Sequence, residues 1–231
     1  MSKRTKGLVV AIDGPAGAGK STVSYALATK LGYVRIDTGA LYRAVALTAD
    51  AKGVSWEDAG GLAKIASSVA FEFRRVGDAT HLFVDGVDRE KDLRSPHISQ
   101  GASKVSALPA VRDALMSVQQ TMGQAGGVVM EGRDIGTVVF PDADVKFFLT
   151  ASDVERGNRR LKELLAKGTV TTLDEVLSEM RERDRRDTTR PTAPLMQARD
   201  AILVDSTAMS LDQVVDSMEA TVRRIRLSSG F

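Results

Sequence analysis

The 231-residue sequence contains no cysteine, which excludes disulfides and thiolate-held metal sites. Histidine is nearly as scarce. His81 and His97 lie far apart in sequence, so a histidine-held zinc ion is not expected and any bound metal should sit among oxygen ligands. Neither histidine has a serine nucleophile motif or a carboxylate constellation beside it, and both are expected at the surface. Aromatic residues make up only 5% of the chain, leaving no stacking platform of the kind that single-stranded nucleic acid uses. No apolar run is longer than a strand, and Ser2 to Lys6 lead straight into the first one without a basic-then-apolar leader. A membrane protein is therefore not expected, and a cytoplasmic location is. There is no internal repeat or low-complexity segment, and only Ser228-Ser229-Gly230-Phe231 reads as a loose tail.

What is present is ordinary in bulk and unusual in detail. With 43% hydrophobic and 27% charged residues, the chain suits one sizeable α/β core carrying insertions. The net charge is only +2, yet arginines outnumber lysines 21 to 11, and arginine is the cation suited to bidentate phosphate contacts. The most informative stretch is Gly14-Pro15-Ala16-Gly17-Ala18-Gly19-Lys20-Ser21-Thr22. It follows the apolar run Leu8-Val9-Val10-Ala11-Ile12 and precedes a helical pattern, the context that G-x-x-x-x-G-K-[ST] requires. Its glycines let the backbone turn with N–H groups inward, and the following helix adds its positive dipole end. Lys20 is expected to reach the β- and γ-phosphates of a nucleoside triphosphate, Ser21 to ligate Mg²⁺, and Thr22 to approach the α-phosphate.

Taken in order, Thr22 to Leu31 reads as a helix stopped at Gly32, and Tyr33 to Ile36 as a second strand. Asp37 or Thr38 then caps a helix that carries Arg43. A weak helix spans Ser55 to Ala66, followed by alternating Val69, Phe71 and Phe73, a Gly77-Asp78 turn and a strand from His81 to Val84. Two proline-opened helices, about Pro96 to Ala107 and Pro109 to Gln124, come next, with Arg112 pointing beside the apolar face of the second, where it need not be buried. A third strand, Gly127 to Glu131, delivers Glu131-Gly132-Arg133-Asp134 to the sheet edge where ligands of α/β proteins bind. Glu131 is positioned to hold Mg²⁺ through a bound water. Strands at Val145 to Leu149 and Ala201 to Val204 complete a set of five. Between them, capping boxes at Ser152/Glu155 and Thr172/Glu175 open two helices. The first carries Arg156, Arg159 and Arg160. The second runs into Arg181-Glu182-Arg183-Asp184-Arg185-Arg186-Asp187-Thr188-Thr189-Arg190, with five arginines in ten residues before Pro191 and Pro194. A box at Ser210/Gln213 starts the last helix.

A phosphate loop alone leaves the fate of the γ-phosphoryl group open. No N-K-x-D guanine-reading element is present, which argues against a GTPase, and the chain is short for a nucleotide-driven motor. A small-molecule kinase needs a second anion site, a base-reading insertion and an arginine-lined lid that excludes water, and each has candidates. A nucleotide-gated RNA-binding module using Arg181 to Arg190 is the alternative of another class, opposed by the interleaved Glu182, Asp184 and Asp187.

Six segments together resemble the bacterial cytidylate kinase (CMP/dCMP kinase) family: the phosphate loop, D-T-G-A-L-Y-R at Asp37 to Arg43, A-S-K-V-S-A at Ala102 to Ala107, P-x-V-R at Pro109 to Arg112, E-G-R-D-I-G-T-V-V-F-P-D-A at Glu131 to Ala143, and E-R-D-x-R-D-x-x-R at Glu182 to Arg190. The resemblance runs unbroken from Leu8 to Arg226, with mild departures at Ser21 (glycine in many members) and Glu131 (aspartate in some). It implies a nucleoside monophosphate kinase fold, with a five-stranded parallel sheet flanked by helices, a nucleotide-binding insertion and a helical lid. The core would cover about 1–62, 108–155 and 191–231, the insertion 63–107 and the lid 156–190. It further implies ATP as phosphoryl donor with Mg²⁺, CMP and dCMP as acceptors, and no nucleic-acid partner; a monomer is expected. Arg43, Arg133 and Arg190 would hold the CMP phosphate, Arg183 and Asp187 the ribose and phosphate, and Ser103, Arg112 and Asp134 the cytosine. Asp37, Thr38, Tyr42 and Gly132 would complete the acceptor site, and Arg156 and Arg160 would join the phosphate loop on ATP. Catalysis would fall to Lys20, Arg133, Arg183 and Arg190. A kinase for another monophosphate or small metabolite is the alternative within enzymes.

Overall fold

The computed structural model describes residues 4–77 and 79–228. Asp78 of the expected turn and residues 229–231 of the expected tail lie outside the described residues.

Five strands, β1 (Val9–Asp13), β2 (Val34–Asp37), β6 (Val128–Gly132), β7 (Val145–Thr150) and β8 (Ile202–Asp205), form an all-parallel sheet in the order β2-β6-β1-β7-β8. β1 is central and entirely buried, and its unbroken apolar run follows from having both faces covered. Leu8, Val10 and Ile12 enter one core with α1 (Lys20–Leu31) and α8 (Leu211–Ser228), while Val9 and Ala11 enter another with Val139 and Phe140. The chain leaves β1 for β2 on one side, and β6 later fills the place between them. The crevice at the carboxyl ends of β1 and β6 is therefore a topological switch point. Register sets Asp13 beside Gly132 and Asp37 beside Glu131, so three of the candidates, Asp37, Glu131 and Gly132, share one sheet edge with Asp13.

A second sheet, antiparallel, joins β3 (Phe71–Val76), β4 (Ala79–Val84) and the short β5 (Val87–Asp88). It packs with α2 (Thr38–Ala51), α3 (Ala59–Ser68), α4 (Pro96–Val105) and α5 (Pro109–Gly123) around a separate core that includes Leu41, Leu62, Leu82 and Leu115. α6 (Asp153–Ala166) and α7 (Leu173–Thr189) form a hairpin held by its own small cluster, Leu161, Leu164, Val176 and Met180. Local chemistry sets most boundaries. Asp37, Asp58 and Ser95 each accept a backbone N–H at a helix start, and Gly32 ends α1 at φ 67°.

Two local expectations are corrected, and one turn is new. Thr172 and Glu175 form a reciprocal capping box, but at α6 only the Ser152 half is made, because Glu155 turns to Arg159 at 2.8 Å. The weak helix begins at Ala59, where Asp58 caps it, and runs on to Ser68. Between β6 and β7 the chain makes a single π-helical turn, Ile135–Val139, closed by i to i+5 bonds from Val139 N to Asp134 O (3.2 Å) and Phe140 N to Ile135 O (2.7 Å). No residue pattern signals such a turn.

Candidate active site

The phosphate loop spans β1 and α1. Gly14 has φ +150°, and a Cβ there would lie 2.0 Å from the Leu149 carbonyl oxygen at the end of β7, so only glycine lets the loop pass so close. Lys20 sits in the first turn of α1, buried, with Nζ donating to Gly14 O (2.8 Å) and Pro15 O (2.7 Å). Burial, and after it the charge of Arg133, pushes its pKa well below the ordinary lysine value. A bound polyanion would reverse that penalty. Thr22 is exposed at the helix start.

Next to the loop, Ser21 Oγ donates to Glu131 Oε2 at 2.9 Å. Glu131 is 3% exposed, and its other oxygen accepts from Ser24 Oγ (2.9 Å) and Arg35 Nε (2.9 Å). Arg35 and Ser24 were absent from the sequence-based candidates. Their signal was available, since a cation inside a short parallel strand needs a buried partner. Thr38 Oγ1 donates to the Glu131 carbonyl at 2.8 Å, pinning the start of α2 to β6.

Across the crevice the acceptor-side candidates gather. Arg43 reaches Asp37 at 2.6 Å, and although burial opposes ionisation of Asp37, Arg43 and Arg35 outweigh it and lower its pKa. Arg133, which follows Gly132, donates through Nε to Asp187 at 3.0 Å. Asp187 is likewise lowered, with Arg133 and Arg183 overcoming burial. Arg183 on α7 is pushed down to about 10 by burial and then by Arg133, with Arg43 and Arg160 also repelling it. Its Nε, like that of Arg43, is buried without a hydrogen-bond partner. Arg190 donates to Ala193 O at 2.7 Å and lies 3.5 Å from Asp134; burial and Arg112 lower its pKa.

Arg112 differs from the sequence expectation. It is 2% exposed, inside the core and not beside it. Burial is tolerated because Nη2 pairs with Asp134, Nη1 donates to Ser106 O (3.2 Å), and the guanidinium stacks 5.5 Å from the centroid of the Tyr42 ring. Burial raises the pKa of Asp134 despite Arg112 and Arg190. Ser103 Oγ on α4 is buried with no partner, an orphaned hydroxyl that calls for a ligand.

The α6–α7 hairpin meets the loop directly. Arg156 donates to Ala16 O (2.8 Å) and Asp184 (2.6 Å), and Ala16 N donates to Asp184 (3.3 Å). Arg159, not a candidate before, bonds Ser206 O (2.9 Å) and lies 3.4 Å from Ala18 O. Arg160 instead pairs with Glu163 at 2.8 Å. His81 bonds Asp88, and the His97 ring meets that of Trp56 at a 44° tilt, both on the second-sheet side and apart from these groups.

No group of three or more histidines and acids among the described residues could hold a metal by itself. Ser21 Oγ and the Glu131 carboxylate do supply hard oxygen donors beside the loop, the partial set that Mg²⁺ takes when phosphates complete its shell. Among the described residues no helix is long and apolar enough to cross a membrane.

Comparison with known proteins places this geometry. The chain is 49% identical over 227 residues to the cytidylate kinase of Geobacter sp. (strain M21), covering 98% of this chain and 97% of that one. It is 47% identical over 216 residues to the cytidylate kinase of Vibrio vulnificus (strain YJ016), covering 94% and 95%. Among solved structures, an uncharacterised protein from Eubacterium ventriosum superposes with a TM-score of 0.53 at 12% identity, covering 94% of this chain and 98% of that one. A gluconokinase from Sinorhizobium meliloti gives 0.50 at 17%, covering 99% and 98%; at such identities these two speak for the fold alone. The profile described as cytidylate kinase matches residues 10–224, and with the relatives at nearly half identity over almost the whole length it shows that the chain belongs to the cytidylate kinase family.

Proposed function

We propose that the protein transfers the γ-phosphoryl group of ATP to CMP and dCMP, giving ADP with CDP or dCDP, as a monomeric cytoplasmic enzyme. The observation that carries this reading is the excess of buried cation around one crevice. Burial first, then repulsion by Arg133 on both and by Arg183 on Lys20, depresses the pKa values of Lys20 and Arg183. Unmatched buried cations are costly, and two facing polyphosphates are the ligands that would relieve them.

The roles proposed are those that the family resemblance implies, and the geometry is consistent with them. Gly14 to Thr22 cradle the donor phosphates, with Arg156 fixing the lid hairpin to the tip of the loop at Ala16 and Arg160 nearby on the same helix. Arg43, Arg133 and Arg190 hold the acceptor phosphate between Asp37, Thr38 and Gly132, and Arg183 with Asp187 spans ribose and phosphate. Asp134 accepts from the N4 amino group of cytosine, while Arg112 and the unpaired Ser103 hydroxyl serve N3 and O2. Uracil would offer Asp134 a carbonyl, setting acceptor against acceptor in a buried place. Tyr42 supports the reader by packing under Arg112.

The attacking phosphate oxygen is already anionic, so no general base is needed. Lys20 and the arginines neutralise the transferring group, each charge-assisted bond contributing about 1.5 to 3 kcal/mol. Ser21, and Glu131 through a bound water, would hold Mg²⁺, which would supply positive charge to offset that of the donor phosphates. The hairpin excludes water, the competing acceptor. Residues 63–107 serve as the acceptor-binding insertion and 156–190 as the lid on the remaining core. Transfer from labelled ATP to CMP, dCMP, UMP and AMP in parallel tests the reading. Faster transfer to CMP and dCMP is expected, with most of the preference lost in Asp134→Ala; equal transfer to all four would defeat it.

A further inference from the structure

Asp13 ends β1 one residue before the phosphate loop and is 4% exposed. Both its carboxylate oxygens are committed to backbone. Oδ1 accepts from Ile135 N–H at 2.8 Å and Oδ2 from Gly136 N–H at 2.7 Å. These two amides open the π-helical turn and directly follow Asp134, whose carboxylate faces Arg112 and Arg190. A carboxylate gripping two successive amides fixes their orientation as well as their distance. On its other side Asp13 continues into Gly14, which is wedged against the Leu149 carbonyl. The donor loop and the base-reading segment, 122 residues apart, are thus fastened to one side chain.

We propose that Asp13 is a positioning residue for base selection: it holds Asp134 in register with the phosphate loop, so that a cytosine seated on Asp134 has its phosphate in line with the donor. This role rests on Asp134 reading the base, as above. Burial pushes the Asp13 carboxyl up to about 6, against the pull of the two amides, so the charged clamp is kept at a cost in stability. Neither the phosphate-loop pattern nor the acceptor-side residues include Asp13, and its partners lie too far along the chain for spacing to reveal them.

The test uses the full-length enzyme and four forms: unaltered, Asp13→Asn, Asp134→Ala and the double variant. kcat/KM for CMP and UMP and KM for ATP are measured for each, with thermal melting alongside. Asp13→Asn keeps the shape but turns an amide N–H toward one of the two backbone donors. It is expected to lower the CMP-over-UMP ratio by about tenfold, as a small misplacement of a reacting group does. The loss should fall chiefly in KM for CMP, with KM for ATP nearly unchanged. In the Asp134→Ala background, Asp13→Asn should change the ratio no further, because the two residues act through one another. A lowered melting temperature with an unchanged ratio overturns the positioning role, as does an equal drop in both backgrounds. If Asp13→Asn does not fold, Asp13→Glu keeps the charge but, one methylene longer in a buried place, shifts the carboxylate off the two amides. A smaller fall in the same ratio is expected, and an unchanged ratio overturns the role. Loss of preference in Asp134→Ala but not in Asp13→Asn defeats this inference alone. Retention of the preference in Asp134→Ala defeats the reading of Asp134 and this role with it.

Discussion

Two clusters of buried charge sit within one crevice and are built on opposite principles. Around Arg112 each charge has a partner: the guanidinium meets Asp134 and the Ser106 carbonyl over the Tyr42 ring. Around Lys20 and Arg183 the cations repel one another, and burial disfavours their charged forms. The balanced cluster has its charges paired without a ligand, and what it leaves open are single polar atoms, Ser103 Oγ and Arg112 Nε among them. The unbalanced cluster lacks the negative charge that would offset its cations, which a polyanion of any base would supply. On the proposed reading, specificity and affinity are separated in space along α5, β6 and α7.

Removing a cation from each cluster should break or sharpen that contrast. Arg112→Met leaves the Asp134 carboxylate buried without its main partner, and loss of one member of a buried pair costs about 3 to 5 kcal/mol. Equilibrium urea unfolding without nucleotide should show it. A loss below about 1 kcal/mol, the range of an exposed pair, would erase the distinction between the clusters. Arg183→Met removes a charge that burial and Arg133 already disfavour, so stability without ligand should hold or rise. Activity should fall, since removing one preorganised donor to developing charge costs about 100- to 1000-fold in kcat. An Arg183→Met protein as active as the parent, or as destabilised as Arg112→Met, would contradict the account of the unbalanced cluster.

The same contrast explains which parts were legible in the sequence. The phosphate loop is a contiguous anion cradle, so its function is written in nine consecutive residues. The parallel strands showed themselves as apolar runs, and the caps at Asp37 and Thr172 as local side-chain to backbone bonds. Arg112 was expected beside its helix face because helical periodicity sorts residues by hydrophobicity, and its partner Asp134 arrives 22 residues later through the sheet edge. Arg35 and Glu131 are 96 residues apart and meet only because β2 and β6 pair in register. Asp13 lay one residue outside the recognised pattern. Balanced buried pairs are long-range by nature, and short motifs do not contain them.

The smallest expected effect concerns a charge that belongs to neither cluster fully. Asp13 titrates at about 6 in the folded protein against an ordinary 3.8, raised first by burial and also by Asp134, with Gly136, Ile135 and Lys20 pulling the other way. Between those two values the folded state holds a proton that the unfolded state has released. Stability from this group is therefore greatest below the unfolded value and declines as pH rises through about 6. From pH 5 to pH 7.5 the decline should be about 1 kcal/mol, given about 1.4 kcal/mol per pH unit and the portion of the titration that the window spans. Asp13→Asn cannot titrate and should lack this component, while Asp134 and the other carboxylates remain common to both proteins. The measurement is the difference in unfolding free energy between the two pH values for each protein. A larger decline in the unaltered protein than in Asp13→Asn is expected, because the asparagine removes a group whose ionisation burial opposes. Equal declines would mean that Asp13 ionises as freely in the fold as in the open chain, and that the two amides of the turn offset the whole penalty of its burial.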